Sequence, residues 1–202
     1  MAIISYTGGH VFTNGYIIDH DGECIVVDAP ALIHELVKSE GLKPTHLFLT
    51  HQHFDHTEDV EALQEMGLKV VSHSAYSETL IRQKEARENW GIPVQITPFI
   101  PDVLLEGKDS FEVGSLKFEV AHVPGHSPDS ITFYCKELGV VFTGDTLMAG
   151  GCGRTDLPGG SSSQLFEGIK TKLYTLPDDT VSLSGHGQET TIGHEKEHND
   201  FV

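Results

Sequence analysis

The chain of 202 residues has no apolar run near the roughly 18 residues that a membrane-spanning helix needs. Its first ten residues, MAIISYTGGH, hold neither a basic stretch nor a long apolar one, so no secretory signal is expected. Cysteine is scarce. Cys24, Cys135 and Cys152 are odd in number and form no CxxC pair, which predicts reduced thiols in the cytosol rather than a disulfide framework. Basic residues are also few, with 13 Lys plus Arg against 30 Asp plus Glu and a formal charge of −17. Affinity for phosphates comes largely from Lys and Arg displacing counterions, so nucleic acid and anionic membrane are poor partners. No low-complexity segment, linker or repeat of 20–50 residues breaks the chain. Hydrophobic content of 38% and charged content of 21% suit an ordinary globular protein, and the length suits one domain, residues 1–202.

Periodicity and turn residues give a mixed order of elements. Residues 2–6, 11–18 and 23–28 read as strands, the last two joined across Asp19-His20-Asp21-Gly22. Leu32, Ile33, Leu36 and Val37 recur at helical spacing and Gly41 closes that helix. A strand at 45–50, a helix at 58–67, a strand at 69–72 and a charged helix at 74–88 follow. Pro93, Pro98 and Pro101 make 89–101 an ordered loop or a mobile flap. Strands are expected at 110–113, 116–123, 130–135 and 139–143, then a helix at 161–174, a strand at 180–184 and a last helix near 193–198. This alternation predicts an α/β protein with helix-covered sheets, and it does not specify the strand order.

The stretch LFLTHQHFDHTEDV concentrates ligand-type side chains. His51, His53, Asp55 and His56 follow an apolar strand, Leu47-Phe48-Leu49. His51 and His53 are two apart, so an extended segment projects both imidazoles to one side, and a tight turn can bring Asp55 and His56 round. Three imidazoles and a carboxylate without a thiolate suit zinc, iron or manganese. Four such ligands crowd a single ion, and two ions share them more easily. Three other strand ends repeat the pattern: EVAHVPGHSPDS delivers His126, VVFTGDT delivers Asp145 and VSLSGHG delivers His186, each beside a glycine that permits close backbone approach. A single polar residue at a strand end is usually a satisfied loop residue. Four ligand-type sites in one chain are not explained that way.

The HxHxDH run His51–His56 with separate His126, Asp145 and His186 resembles the metallo-β-lactamase fold over nearly the whole chain. FTGDTLMAGGCGRTDLPGG (142–160) and GHGQETTIGHEKEHNDFV (185–202) resemble the glyoxalase II-like hydrolases more closely. That resemblance implies a four-layer αββα sandwich holding two divalent metal ions, zinc first and iron or manganese next. It implies His51, His53 and His126 around one ion, Asp55, His56 and His186 around the other, and Asp145 bridging. The implied activity is hydrolysis of small acyl thioesters by a metal-bridging hydroxide that Asp55 also orients. Persulfide dioxygenases with one iron on His51, His126 and Asp145 look similar, as do lactonase- and β-lactamase-type hydrolases. Three features depart from the pattern. Glu58 and Asp59 stand where many relatives have Gly-Gly, Asp129 and Ser130 stand where a Gly-rich turn after the His126 motif is common, and the chain ends soon after His186, without the helical extension that resembles a glutathione platform.

Among other candidates, His122 reads as a strand-end residue beside the site. His10 reads as a turn or a cleft residue, and His73 and Tyr76 as possible substrate contacts. His20, His34, His46, His194 and His198 read as solvent-facing. Arg154 and Asp156 read as an internal ion pair buttressing the loop after Asp145, and Met148 and Trp90 as packing. Cys152 has no adjacent base and does not read as a nucleophile.

Overall fold

A computed structural model describes residues 2–202, which form two units, one running to Glu106 and one spanning Gly107–Val202. The α/β expectation holds: each unit is a six-stranded sheet with helices against it. Among the described residues no helix is long and apolar enough to cross a membrane.

In the first unit the strands lie in chain order. β1 (Ala2–Gly8), β2 (Thr13–His20) and β3 (Glu23–Val27) pair antiparallel. β4 (His46–Phe48), β5 (Lys69–Ser72) and β6 (Val103–Leu104) then add in parallel. Parallel neighbours need crossovers, which α1 (Ile33–Ser39), α2 (Val60–Glu65), α3 (Glu78–Ile81) and α4 (Gln83–Trp90) provide. Register lines up Ile17, Val26, Leu47 and Val70 across the sheet. They pack with Ile33, Val37, Val60 and Leu63 of the helices. The period of two puts Ile18, Ile25, Phe48 and Val71 on the other face, and these are buried too. Burial on both faces explains why β3–β5 read as continuous apolar runs.

The second unit has the order β14-β13-β10-β9-β8-β7. Its main strands are β7 (Ser110–Val113), β8 (Leu116–His122), β9 (Ile131–Cys135), β10 (Val140–Gly144) and β13 (Val181–Ser184), with β14 (Thr190–Thr191) at the edge. A small hairpin, β11 (Leu147–Met148) and β12 (Gly151–Cys152), follows β10. Tyr134 and Val141 pack against Leu165 of α5 (Ser162–Gly168), against Ile169 and Leu173 of the π-helical turn after it, and against Ile192 of α6 (Ile192–His198). β9 runs antiparallel to both β8 and β10, and β10 runs parallel to β13. The C-terminal ends of β8, β10 and β13 therefore point the same way.

The segment expected as one helix over 74–88 is instead two short helices broken at Arg82, whose φ of 59° is left-handed. The loop after it is an ordered one. Val94, Ile96 and Phe99 are buried in the first unit's core. Gln83 fastens the loop: its Oε1 accepts from Ile96 N at 2.7 Å, and its Nε2 donates to Glu78 at 2.8 Å. A mobile flap over 89–101 is thus excluded by packing. Deleting residues 88–100 would strip three core side chains worth roughly 1.5–3 kcal/mol each, against a total stability of about 5–15 kcal/mol. Gln83→Ala orphans the buried Ile96 N–H and should cost about 1–3 kcal/mol. A fall in urea midpoint at unchanged slope, with metal content retained, is the expected reading.

Candidate metal centre

In each unit the expected ligands follow the C-terminal ends of strands. In the first unit, β4 leads into His51 and His53, and a single 3-10 turn, Phe54–His56, swings Asp55 and His56 round. The rings of His51 and His53 lie 4.6 Å apart, and those of His51 and His56 4.1 Å. Donor atoms of His51 and His53, of His51 and His56, and of Asp55 and His56 lie within 4.8 Å of one another. All four residues are buried.

Asp28, at the end of β3, organises this group. Its Oδ1 accepts from Thr50 N, and its Oδ2 accepts from the Thr50 hydroxyl and His56 Nδ1, all at 2.8 Å. Because the Thr50 proton goes to Asp28, the Thr50 oxygen is left to accept from His51 Nδ1 at 3.1 Å. Both rings therefore carry their proton on Nδ1 and turn an Nε2 lone pair outward, the tautomer that a metal ligand needs. The Thr13 hydroxyl donates to Asp55 Oδ2 at 2.6 Å and fixes that carboxylate. Sequence reasoning missed Asp28, Thr13 and Thr50. For Asp28 a signal existed: it ends an apolar strand, as Asp145 does.

In the second unit, β8, β10 and β13 deliver His126, Asp145 and His186. His126 Nδ1 donates to the Arg154 carbonyl at 2.9 Å, so its Nε2 also faces outward. Asp145 Oδ2 lies 3.4 Å from His126 Nε2 and 3.4 Å from His186 Nε2. In the first unit, His56 Nε2 stands 3.4 Å from Asp55 Oδ2. These spacings exceed an ordinary hydrogen bond. They match donors placed 2.0–2.2 Å from a shared tetrahedral ion, which are about 3.3 Å apart. The donor set fits divalent metal.

Two glycines are dictated by this packing. Gly125 (φ 133°) has no room for a Cβ, which would lie 2.5 Å from Leu165 N and Ser161 O. A Cβ on Gly153 would meet Asp145 O at 1.9 Å and the His126 ring at 2.9 Å.

The remaining candidates divide clearly. His122 is exposed and bonded to the Pro128 carbonyl at 2.8 Å. Arg154 and Asp156 form the expected ion pair, through two bonds of 2.7 Å. Burial raises the Cys152 thiol, the opposite of what a nucleophile requires. Tyr76 gives its hydroxyl to Glu78 at 2.6 Å and packs edge-on to Phe99. His34 is not solvent-facing: it is pinned between Asp59 and Glu35, each at 2.7 Å, because α1 turns it toward the start of α2. Glu58 is half-buried, and burial followed by Asp55 and Asp59 pushes its carboxyl up to about 7.

Residues 8–186 match the Metallo-beta-lactamase superfamily. The chain is 37% identical over 192 residues to hydroxyacylglutathione hydrolase GloC of Haemophilus influenzae, covering 94% of this chain and 87% of that one. It resembles the crystal structure of BLEG-1 B3 metallo-beta-lactamase with a TM-score of 0.88 and 34% identity, covering 99% of both chains. It also resembles that of ETHE1 from Myxococcus xanthus with a TM-score of 0.80 and 30% identity, covering 99% of this chain and 84% of that one.

Asp28→Asn keeps a residue that tolerates the left-handed φ of 58° at that position. It places an amide where His56 Nδ1–H needs an acceptor, which reverses the ring's tautomer. Chelator competition should show metal affinity down about 10–100-fold, with secondary structure by circular dichroism unchanged.

Proposed function

We propose that this chain, which belongs to the metallo-β-lactamase superfamily, is a dinuclear hydrolase of small acyl thioesters. His51, His53 and His126 would hold one ion, Asp55, His56 and His186 the other, and Asp145 both. Support for the bridge comes from a single oxygen, Asp145 Oδ2, standing 3.4 Å from an imidazole nitrogen of each set. The donor set suits zinc first and accepts iron or manganese.

One observation carries the dinuclear reading. Asp55 and His56, the two first-unit residues assigned to the second ion, each have a dedicated partner: Thr13 for Asp55 and Asp28 for His56. A mononuclear iron needing only His51, His126 and Asp145 gives no reason to orient them. Similarity to ETHE1 keeps that persulfide dioxygenase reading as the alternative.

A divalent pair supplies Lewis acidity toward a carbonyl oxygen and a water that is nucleophilic at neutral pH. The chain supplies the positioning. Asp55, fixed by Thr13, accepts a hydrogen bond from the attacking water and aims it at the thioester carbon. His51, His56 and His126, each protonated at Nδ1, keep their Nε2 lone pairs in place. The substrate is a small molecule, and a reducing compartment such as the cytoplasm suits the three free cysteines.

Elemental analysis of reconstituted protein should give close to two ions per chain. Asp145→Ala should lower occupancy at both sites and reduce kcat for S-D-lactoylglutathione by about a hundredfold or more, as expected when both ions lose a shared ligand. Occupancy that never exceeds one, together with oxygen uptake on glutathione persulfide, would replace this reading by the dioxygenase.

A further inference from the structure

A carboxylate taken out of water needs donors for both oxygens, and is usually paired with a cation. Glu195 of α6 is only 1% exposed. Three neutral groups hold it. The Gly150 N–H is shared between Oε1 at 3.1 Å and Oε2 at 3.0 Å, the Thr190 hydroxyl donates to Oε1 at 2.7 Å, and Asn199 Nδ2 donates to Oε2 at 2.8 Å. Asn199 Nδ2 also donates to the Gly151 carbonyl at 3.0 Å. An apolar side chain of similar size would dock the helix without this desolvation cost, as Ile192 already does. Buried polar clusters that folding does not require are expected where function shapes the chain.

The segments that Glu195 holds lead to all three ligand-type residues of the second unit. Gly150 lies in the turn of the β11–β12 hairpin, which begins at Leu147, just after Asp145. From that turn the chain passes Gly153, where a Cβ would lie 1.9 Å from Asp145 O and 2.9 Å from the His126 ring. The next residue, Arg154, gives its carbonyl to His126 Nδ1 at 2.9 Å. A shift of the hairpin is therefore passed by direct contact to Asp145 and His126, because close-packed interiors transmit displacement. On the other side, Thr190 pairs with Ser182 of β13 and closes the loop that carries His186. Gly185 N ties the same loop to the Gly144 carbonyl at 2.8 Å.

We propose that Glu195 is a positioning residue that sets His126, Asp145 and His186 for metal binding. It acts through the hairpin on the first two and through Thr190 on the third. Hydrogen bonds that orient metal ligands from outside govern affinity in this way. The assignment rests on the metal-centre reading and is independent of the substrate. An anchor for α6 alone would instead cost stability and leave metal binding unchanged.

Cobalt(II) titrated into metal-free protein tests this through affinity and through its visible absorption, which reports ligand geometry. Glu195→Gln keeps the size but turns an NH2 group toward a donor, Asn199 or Thr190, so one limb of the cluster must open. It should weaken cobalt binding about 10–100-fold, the range for outer hydrogen-bond partners of metal ligands, and alter the absorption bands. Thr190→Val cuts only the limb toward His186 and should give a smaller loss, which decides the matter alone if Glu195→Gln does not fold. Thr191→Ala is the control, since it removes the cap of the same helix without touching the hairpin. It should lower the melting temperature of metal-free protein and leave cobalt affinity and spectrum as in the parent. Affinity and spectrum unchanged in both Glu195→Gln and Thr190→Val would overturn the proposal, leaving Glu195 a helix anchor and the metal centre intact. Equal loss of affinity in Thr191→Ala at the same melting shift would overturn it too, assigning the effect to stability. A parent that binds no cobalt would overturn it together with the metal-centre reading. Cobalt binding that depends on Glu195, without turnover of any thioester, would retain the positioning role and reject the hydrolase reading.

Discussion

A metal-ligating imidazole must hold its proton on one nitrogen and offer the other, and much of the local structure serves that requirement. In the first unit a single carboxylate meets it for two rings. Asp28 takes the His56 proton directly and reaches His51 through Thr50. In the second unit the Arg154 carbonyl does the same for His126. That carbonyl is in place because the chain after β12 passes close over Asp145 and His126, a passage that only a glycine at 153 allows. The internal ion pair of Arg154 with Asp156 then holds the local turn, which gives the GCGRTD run a structural reason.

The same arrangement carries an electrostatic cost. Asp28, Asp55 and Asp145 are buried in a chain that is already strongly acidic. Burial penalises carboxylates, and a cation held by the His/Asp cluster would offset both that penalty and part of the net charge. Any metal affinity of the cluster would therefore be linked to folding free energy, since the unfolded chain has no preformed site. The apolar strands of the first sheet supply the opposing contribution, with both faces of β3, β4 and β5 buried.

Strand-end chemistry was legible because its period is short and its punctuation strong: an apolar run, a glycine or a tight turn, then a ligand-type side chain. The helix at 33–39 followed from apolar spacing and its closing glycine, and the one expected near 193–198 is present at 192–198, capped by Thr191, which accepts from His194 N. What sequence hid was set by tertiary contacts. The helix expected at 74–88 breaks at Arg82, a residue whose type gives no hint of a left-handed backbone. The proline-rich segment reads as a loop from any window, yet Val94, Ile96 and Phe99 make it core. Likewise His34 is indistinguishable in sequence from a surface histidine until Asp59 is brought beside it. Asp28 was missed for a different reason: it ends an apolar strand as Asp145 does, but no glycine or second ligand-type residue beside it marks the position.

Backbone strain separates ordinary turns from places where function shapes the chain. Five non-glycine residues among those described have positive φ: Phe12, Asp21, Asp28, Leu32 and Arg82. Asp21 needs no special reason, because it precedes Gly22 (φ 88°) in the β2–β3 hairpin, where two residues of positive φ match the strand twist. Asp28 is different. Its conformation turns the chain sharply at the end of β3 and brings its carboxylate under Thr50 and His56, so the strain is repaid by three hydrogen bonds to a single side chain. Arg82 has the same backbone strain and lacks the repayment among the described residues, since its guanidinium reaches only Glu85, at 3.6 Å. The same backbone strain therefore has different local compensation at the two positions: three hydrogen bonds at Asp28 and one ion-pair contact at Arg82.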